Sequence, residues 1–377
     1  MSASLSCGLI PEPSAPIGDY SAPTPLTISD QERRDYQELL QHYFDSTLLG
    51  PHRNFSGGIL VAKGGTILFE QYQGYEDLPE RTRPITANSS LHIASTSKPF
   101  TAMAILTLVG QGTITLLDTI TRFFPKLPYP GITVRDLLCH RSGLPNYLYF
   151  MESSRWNKQR KATNDDVLKV MIEEAPPRHA APNKRFEYCN TNYLLLALIV
   201  EKVTGTSYPD YLQRHFFNRL GMQHTYVYQP RHEQTAIASY QPNGRLWPLD
   251  YLDLTYGDKN IYSTPQDLLK WDQALYTDQL IDTLLLQEAF KGYSFERPGT
   301  HHYGLGFRLE MIPNGKKVIY HFGRWHGNNA AFTRLVEEKV AIIILGNRYS
   351  RSIYSAAHHS YDLFGNYYNQ DVQEEEQ

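Results

Sequence analysis

One stretch, residues 91–110 with the sequence LHIASTSKPFTAMAILTLVG, restricts the fold more than any other in the chain. Residues 100–109 offer apolar side chains around the whole circumference of a helix, among them Phe100, Met103, Ile105, Leu106, Leu108 and Val109. Such a helix has no solvent-facing stripe and has to be enclosed on all sides. Pro99 is tolerated only near a helix start, and Gly110 and Gly112 mark its end, which puts Ser95 at the N-terminal tip. Ser95 and Lys98 are three residues apart and share a face of the first turn, where the free N–H groups and the helix dipole favour negative charge. A lysine among apolar neighbours can give up its proton near neutral pH and act as base toward an adjacent hydroxyl. Ser-x-x-Lys arises by chance in many chains. Here it opens the most apolar helix of the sequence, where a lysine without a purpose would be costly.

At 377 residues, 41% hydrophobic and 20% charged, the chain can bury a large core in one large or two ordinary domains. The net charge of −3, with no basic block, gives nucleic-acid binding no electrostatic support. Cys7, Cys139 and Cys189 show neither paired nor metal-binding spacing, and the pairs His301-His302 and His358-His359 lack a carboxylate at ligand spacing. We therefore expect no disulfide framework, no metal, no cofactor and surface positions for those histidines. No apolar run reaches membrane-spanning length. Ser4-Leu5-Ser6-Cys7-Gly8, followed by a Pro- and Ser-rich stretch to Thr27, has the look of a lipoprotein cleavage site and tether. Membrane contact is expected only through a lipid anchor at Cys7, which favours the cell envelope or periplasm over the cytoplasm; the other reading is a disordered leader with an incidental cysteine. Nothing in the sequence sets an oligomeric state.

Along the chain, Ser29-Asp30-Gln31-Glu32 has the form of a capping box and starts a helix running to about Leu48. Residues 58–63 and 66–72 are β-rich and separated by Gly64-Gly65, a hairpin signal. From residue 112 to 256 proline is frequent and the regular segments read as helices, at 134–140, 165–174, 193–204 and 208–220. Strand patterns return at 303–310, 317–322, 331–336 and 340–345 with short connections, an antiparallel meander, and a last helix spans about 352–364. The expected fold is α+β: an antiparallel sheet drawn from both chain ends and flanked by terminal helices, with a mostly helical second lobe. The expected boundaries are a leader at 1–27, a discontinuous α/β lobe at 28–111 and 257–370, a helical lobe at 112–256 and an acidic tail at 371–377. A cleft between the lobes is the default site.

There is no Gly-x-Ser-x-Gly elbow, His-Glu-x-x-His, Walker loop or dinucleotide fingerprint. Tyr303-Gly304-Leu305-Gly306-Phe307 reads as a packing feature within a strand. Two polar stretches could complete a serine site. In Tyr188-Cys189-Asn190, before an apolar helix, the tyrosine could relay a proton and the asparagine could hold a substrate carbonyl. In His321-Phe322-Gly323-Arg324, a strand ends at a glycine where substrate backbone could approach. Taken singly, a helix cap and a strand end are the better explanations.

Together, Ser95-Thr96-Ser97-Lys98, Tyr188-Cys189-Asn190 and His321-Phe322-Gly323 resemble, in order and separation, the three motifs of the serine β-lactamases and penicillin-recognising hydrolases, closest to the class C-related branch. Residues 133–145 (TVRDLLCHRSGLP) and 186–205 are similar to supporting stretches of that branch. The resemblance spans roughly residues 30 to 365 and implies a β-lactamase/transpeptidase-like fold. It implies Ser95 as acylated nucleophile, Lys98 as its base, Tyr188 as proton relay and Asn190 as substrate contact. The backbone N–H groups of Ser95 and Arg324, the latter just after Gly323, would form the oxyanion hole. The resemblance also implies His321, Gly323 and Arg324 as substrate contacts, but the third motif departs from the Lys-Thr-Gly form: His321 carries less charge and Phe322 no hydroxyl, which weakens the grip on a β-lactam or peptide carboxylate. A metal-free serine hydrolase acting through an acyl-enzyme on D-amino-acid amides, peptidoglycan-type peptides or small esters is therefore expected. The alternatives are a β-lactamase, or a non-catalytic relative that binds cell-wall peptide or a partner.

Overall fold

The computed structural model describes residues 20–50, 53–296 and 299–368, so the Cys7 segment and the acidic tail lie outside the described residues. Seven strands form one antiparallel sheet: β1 (Gly57–Lys63), β2 (Thr66–Gln73), β3 (His301–Tyr303), β4 (Arg308–Met311), β5 (Lys317–Trp325), β6 (Asn328–Leu335) and β7 (Val340–Gly346), in the order β2-β1-β7-β6-β5-β4-β3. The β1–β2 turn needs Gly64 and Gly65, which sit at φ +52° and +83°. β1 then pairs with β7, Gly57 facing Gly346, so the sheet joins the two ends of the chain.

Both faces of this sheet are covered, which explains why its central strands read as continuous apolar runs. Ile59, Val61, Ile342 and Ile344 point to one side, against α1 (Asp30–Phe44) and a C-terminal helix; Leu60, Ala62, Ile343 and Leu345 point to the other. That second side holds α2 (Lys98–Gly110), whose residues from Lys98 to Leu106 are all buried, as its all-round apolar pattern requires. Packed with it are α3 (Asn190–Thr204) and α4 (Pro265–Ala274), whose Trp271 stacks on Phe100 at 4.1 Å between ring centroids. A buried ion pair, Arg334 Nε to Asp272 Oδ1 at 2.6 Å, ties β6 to α4. The chain closes with α5 (Ser352–His359) and a 3₁₀ turn at Tyr361–Leu363.

Several local expectations change. The Ser29 hydroxyl accepts from Glu32 N–H, but Glu32 does not complete a capping box, because its carboxylate goes to Lys63 Nζ at 3.1 Å. α1 continues as a π-helical turn over Asp45–Leu49 and the 208–220 helix as another over Gln213–Phe217. The strand expected over 303–310 is broken into β3 and β4. Gly306 turns at φ +91°, and a Cβ there would lie 2.3 Å from Ala102 Cβ of α2, while one at Gly304 would lie 2.1 Å from Ala289 O. The glycines are there for packing as expected, but the packing forces a turn. The 112–256 segment also contributes short strands: Tyr226–Val227 pairs with Ile261–Ser263, which pairs in turn with Leu91–His92, and Ser239–Tyr240 pairs with Leu246–Trp247. α4 and the helix Thr283–Ala289 had no counterpart in the sequence reading.

Candidate active site

Leu91–His92 leads into a 3₁₀ turn, Ala94–Ser97, that runs directly into α2. Ala94 holds φ +48°, unusual for a residue with a Cβ. The turn is held by side chains on every side. Ala94 N–H donates to His92 Nδ1 at 3.0 Å, and His92 Nε2 meets Asn260 Oδ1 at 2.8 Å. Burial pushes the His92 pKa down to about 4, so the ring is neutral and Nδ1 is free to accept. Thr96 Oγ1 donates to His321 O at 3.2 Å and Ser97 Oγ accepts from Ile261 N–H at 3.1 Å. Ser95 keeps partial exposure among these buried neighbours.

Lys98 is fully buried. Its side-chain nitrogen lies 3.1 Å from Ser95 Oγ, 2.8 Å from Asn190 Oδ1 and 2.8 Å from the Asp258 carbonyl oxygen, and 4.9 Å from the centre of the Tyr188 ring. These partners are a hydroxyl, an amide and a backbone carbonyl. Ser95, Tyr188, Asn190 and Arg324 together line one open cavity of ≈ 370 Å³, with Leu148 and Tyr149 on its lip.

Tyr188 sits one residue before Cys189, the N-cap of α3, on a loop clamped by His140. The His140 carbonyl accepts from Glu187 N–H at 2.8 Å and its Nδ1 accepts from Cys189 N–H at 3.1 Å, so the residues on both sides of Tyr188 are fixed. Asn192 Nδ2 donates to the same Nδ1 at 3.1 Å, and the His140 ring lies 4.3 Å from that of Tyr188. Burial, with Lys98 next, drives the His140 pKa well below its usual value, which keeps Nδ1 an acceptor.

The third segment is β5. Its pairing with β4 ends at Tyr320, which leaves residues 321–325 without a strand on that side, and the Ser95 turn packs there instead. A Cβ on Gly323 would lie 2.8 Å from Ser95 N and 2.4 Å from Ile93 O, so only glycine admits this approach. The His321 side chain is fully buried and absent from the cavity wall. Its Nε2 is 3.2 Å from Tyr303 Oη and its Nδ1 2.9 Å from Phe322 O. Burial first, then the charges of Arg308 and Lys98, push its pKa well below the usual value. The ring is thus a neutral packing group, where the sequence reading placed a substrate contact. Arg324 is exposed, with its guanidinium 5.7 Å from the Tyr349 ring.

Sequence reasoning missed Arg308, which lines the Ser95 cavity from β4 with its guanidinium 5.2 Å from the centre of the Tyr188 ring. It also missed the structural part of Asp258, whose carbonyl holds Lys98. Nothing in local spacing flags either. Among the described residues, Asp250, Asp253 and His326 could hold a cation, but Asp253 already accepts from Trp325 Nε1 at 2.6 Å and meets His326 Nε2 at 3.0 Å.

With this geometry in place, comparison with known proteins is decisive. The family profile described as Beta-lactamase matches residues 39–361. The chain belongs to the beta-lactamase family. It is a serine hydrolase of that family with the corresponding α+β fold. It is 33% identical over 359 residues to Penicillin-binding protein 4* of Bacillus subtilis (strain 168), covering 89% of this chain and 78% of the relative. The structure of a penicillin binding protein from Bacillus halodurans superposes with a TM-score of 0.75 at 23% identity, over 86% of this chain and 99% of that one. The D-amino acid amidase from Ochrobactrum anthropi SV3, complexed with L-phenylalanine amide, gives a TM-score of 0.68 at 26% identity, over 86% and 96% of the two chains.

Proposed function

We propose that Ser95 is the acylated nucleophile of an amidase or peptidase acting on D-amino-acid amides and peptides. The observation that carries this reading is the buried Lys98 Nζ, 3.1 Å from Ser95 Oγ and steadied by Asn190 and Asp258. As a free amine, Lys98 takes the Ser95 proton along that contact while still donating to its other two partners. The hydroxyl oxygen attacks the substrate carbonyl, and the backbone N–H groups of Ser95 and Arg324 hold the resulting oxyanion. The abutment of Gly323 on Ser95 N supports that pairing of donors. Tyr188, on the same cavity, passes a proton to the departing amine, and water then cleaves the ester. Asn190 holds Lys98 through its Oδ1, and its amide nitrogen is left to meet substrate.

The leaving-group preference follows from charge. His321 is neutral and buried, so the guanidinium groups at this cavity are Arg308 and Arg324, while the wall's one carboxylate, Glu187, is engaged by His179 and Arg185. Arg308, beside Tyr188, suits a leaving group that carries a carboxylate. The relative named a D-amino acid amidase supports the D-amide class, and the Lys-Thr-Gly departure disfavours efficient β-lactam hydrolysis.

The test is stoichiometric labelling of Ser95 by a fluorophosphonate. It should be abolished by Ser95→Ala and cut about 10³-fold or more by Lys98→Met. Turnover is then compared across D-amino-acid anilides, p-nitrophenyl esters and a chromogenic cephalosporin. Absence of labelling in the folded wild type removes the assignment in favour of a binding role.

A further inference from the structure

Residues 257–261 run alongside the Ser95 turn, and four of the five hold it or the start of α2. Gly257 O accepts from Thr101 Oγ1 at 2.6 Å, and Asp258 O accepts from Lys98 Nζ at 2.8 Å. Asn260 Oδ1 meets His92 Nε2 at 2.8 Å. Ile261 N–H donates to Ser97 Oγ, and Ile261 O accepts from Ile93 N–H. The fifth residue, Lys259, makes none of these contacts. It is a second buried lysine, only 2% exposed, and such a group is costly unless the fold supplies it with partners.

Lys259 Nζ lies 2.9 Å from Tyr147 Oη, 3.0 Å from Leu252 O and 3.2 Å from Thr255 O, and it also contacts Thr255 Oγ1. All four oxygens accept from it. Two are carbonyls; the Thr255 hydroxyl spends its hydrogen on Leu252 O at 2.8 Å, and the Tyr147 hydroxyl gives its own to the Asp258 carboxylate, Oδ2 at 2.9 Å. A nitrogen met by acceptors alone keeps all its hydrogens, so Lys259 is an ammonium. The Trp325 ring, its centre 4.7 Å from Nζ, suits that charge. Burial lowers the Lys259 pKa, and the carboxylates of Asp258, Asp253 and Asp250 work against that. Lys98 differs at one contact. Ser95 Oγ is a hydroxyl whose hydrogen has no other partner among the described residues, so it can pass that hydrogen to a free amine.

We propose that Lys259 is a positioning residue for the reaction: it carries the positive charge that balances the Asp258 carboxylate, and so leaves Lys98, held by the carbonyl of the same Asp258, as the amine that takes the Ser95 proton. The inference rests on Lys98 being that base. Asp258 is the hinge of the arrangement, since its side chain answers to Lys259 through Tyr147 while its backbone answers to Lys98. Without Lys259, the uncompensated carboxylate would draw a proton onto Lys98. The other ionisable groups around Lys98 bring no second carboxylate. They are Tyr188 and Tyr193, with ring centres 4.9 and 5.6 Å from Nζ, the neutral His140 and His321, and Arg308 over the Tyr188 ring.

The experiment records the pH profile of Ser95 labelling by a fluorophosphonate in the full chain, with urea unfolding alongside. Lys259→Met should move the rising limb of the profile up by about one pH unit, so that labelling on the limb falls about 10-fold while the alkaline plateau stays within about threefold. Asp258→Asn keeps the carbonyl and removes the charge; it should move the limb down by about one unit. It is also the variant to read if Lys259→Met, left with an unpaired buried carboxylate, does not fold. The double variant, with both charges gone, should return the limb to within about 0.3 unit of wild type. Limbs that stay in place or move the other way in folded variants, or a loss of labelling equal at every pH, overturn the role of Lys259 and leave Ser95 and Lys98 standing. Wild-type protein that takes no label, or a Lys98→Met variant that labels like wild type, overturns both.

Discussion

Replacing Gly323 by alanine puts the predicted contact between β5 and the Ser95 turn under direct test. The added Cβ would stand 2.4 Å from Ile93 O, 2.8 Å from Ser95 N and 3.0 Å from Thr96 N, where ordinary contact begins at 3.4 Å. The worst overlap is therefore 3.4 − 2.4 = 1.0 Å, and all three opposing atoms are backbone. The turn cannot retreat, because Ile93 N–H is bonded to Ile261 O at 2.9 Å and Ser97 Oγ to Ile261 N. Strand and turn must separate by roughly 1 Å, a displacement that typically costs about 10²-fold in rate, or about 2.7 kcal/mol of barrier. Overpacking of this kind costs about 1–3 kcal/mol of stability. The assay is the second-order rate of Ser95 labelling by a fluorophosphonate, measured beside urea unfolding. We expect labelling to fall about 100-fold in a protein that still unfolds cooperatively. An alanine variant that labels within about threefold of wild type would falsify the proposed closeness of β5 to the nucleophile.

His140→Phe removes the acceptor of Cys189 N–H and Asn192 Nδ2; kcat should fall about 10- to 100-fold with KM little changed. His140→Asn, which tolerates the φ of +57° and offers an acceptor, should recover part of it, and failure of any rescue speaks against the clamp. Asp272→Ala strands the buried Arg334 cation and should cost about 3–5 kcal/mol in urea unfolding, whereas replacing both partners with apolar residues should cost less. Stability should fall as the solution is acidified below pH 6.5. His92 stays unprotonated in the folded protein down to about pH 4 but takes up a proton near 6.5 when unfolded, so acid favours the unfolded chain. His92 alone should cost about 2 kcal/mol by pH 5, and the similarly depressed His140 and His321 add to the loss. A urea midpoint that does not move between pH 7 and 5 refutes this.

The segments that meet at the candidate site were readable because each sits at a local punctuation mark: Ser95 and Lys98 opening an all-apolar helix, Tyr188 and Asn190 at the start of another, Gly323 near the end of a strand. Such marks are written in residues close in sequence. The sheet was readable for the same reason, since short apolar runs broken by Gly64-Gly65 or Asn314-Gly315 are local. What escaped the sequence reading was set by contacts across the fold. Arg308 looks like any strand arginine until the turn at Gly304 and Gly306 brings it over Tyr188. Asp258 contributes a carbonyl, which every residue has. His321 was read as a substrate contact because its motif position favours one, but Tyr303 and Phe322 enclose its ring. The break of the 303–310 strand likewise comes from Ala102 and Ala289, neither of which neighbours it in sequence.

Pairing Gly57 with Gly346 also governs when this molecule can come into being during synthesis. A chain still emerging from the ribosome already holds Ser95 and Lys98, but β7, the central partner of its first hairpin, is made only after residue 339. Until then β1 has only β2 beside it, and an isolated hairpin is barely stable in water. Gly323, too, has yet to arrive behind the serine. A chain that lacks β7 and Gly323 therefore has neither the paired sheet nor the wall behind Ser95, and the candidate site is assembled only once those segments have joined the first hairpin.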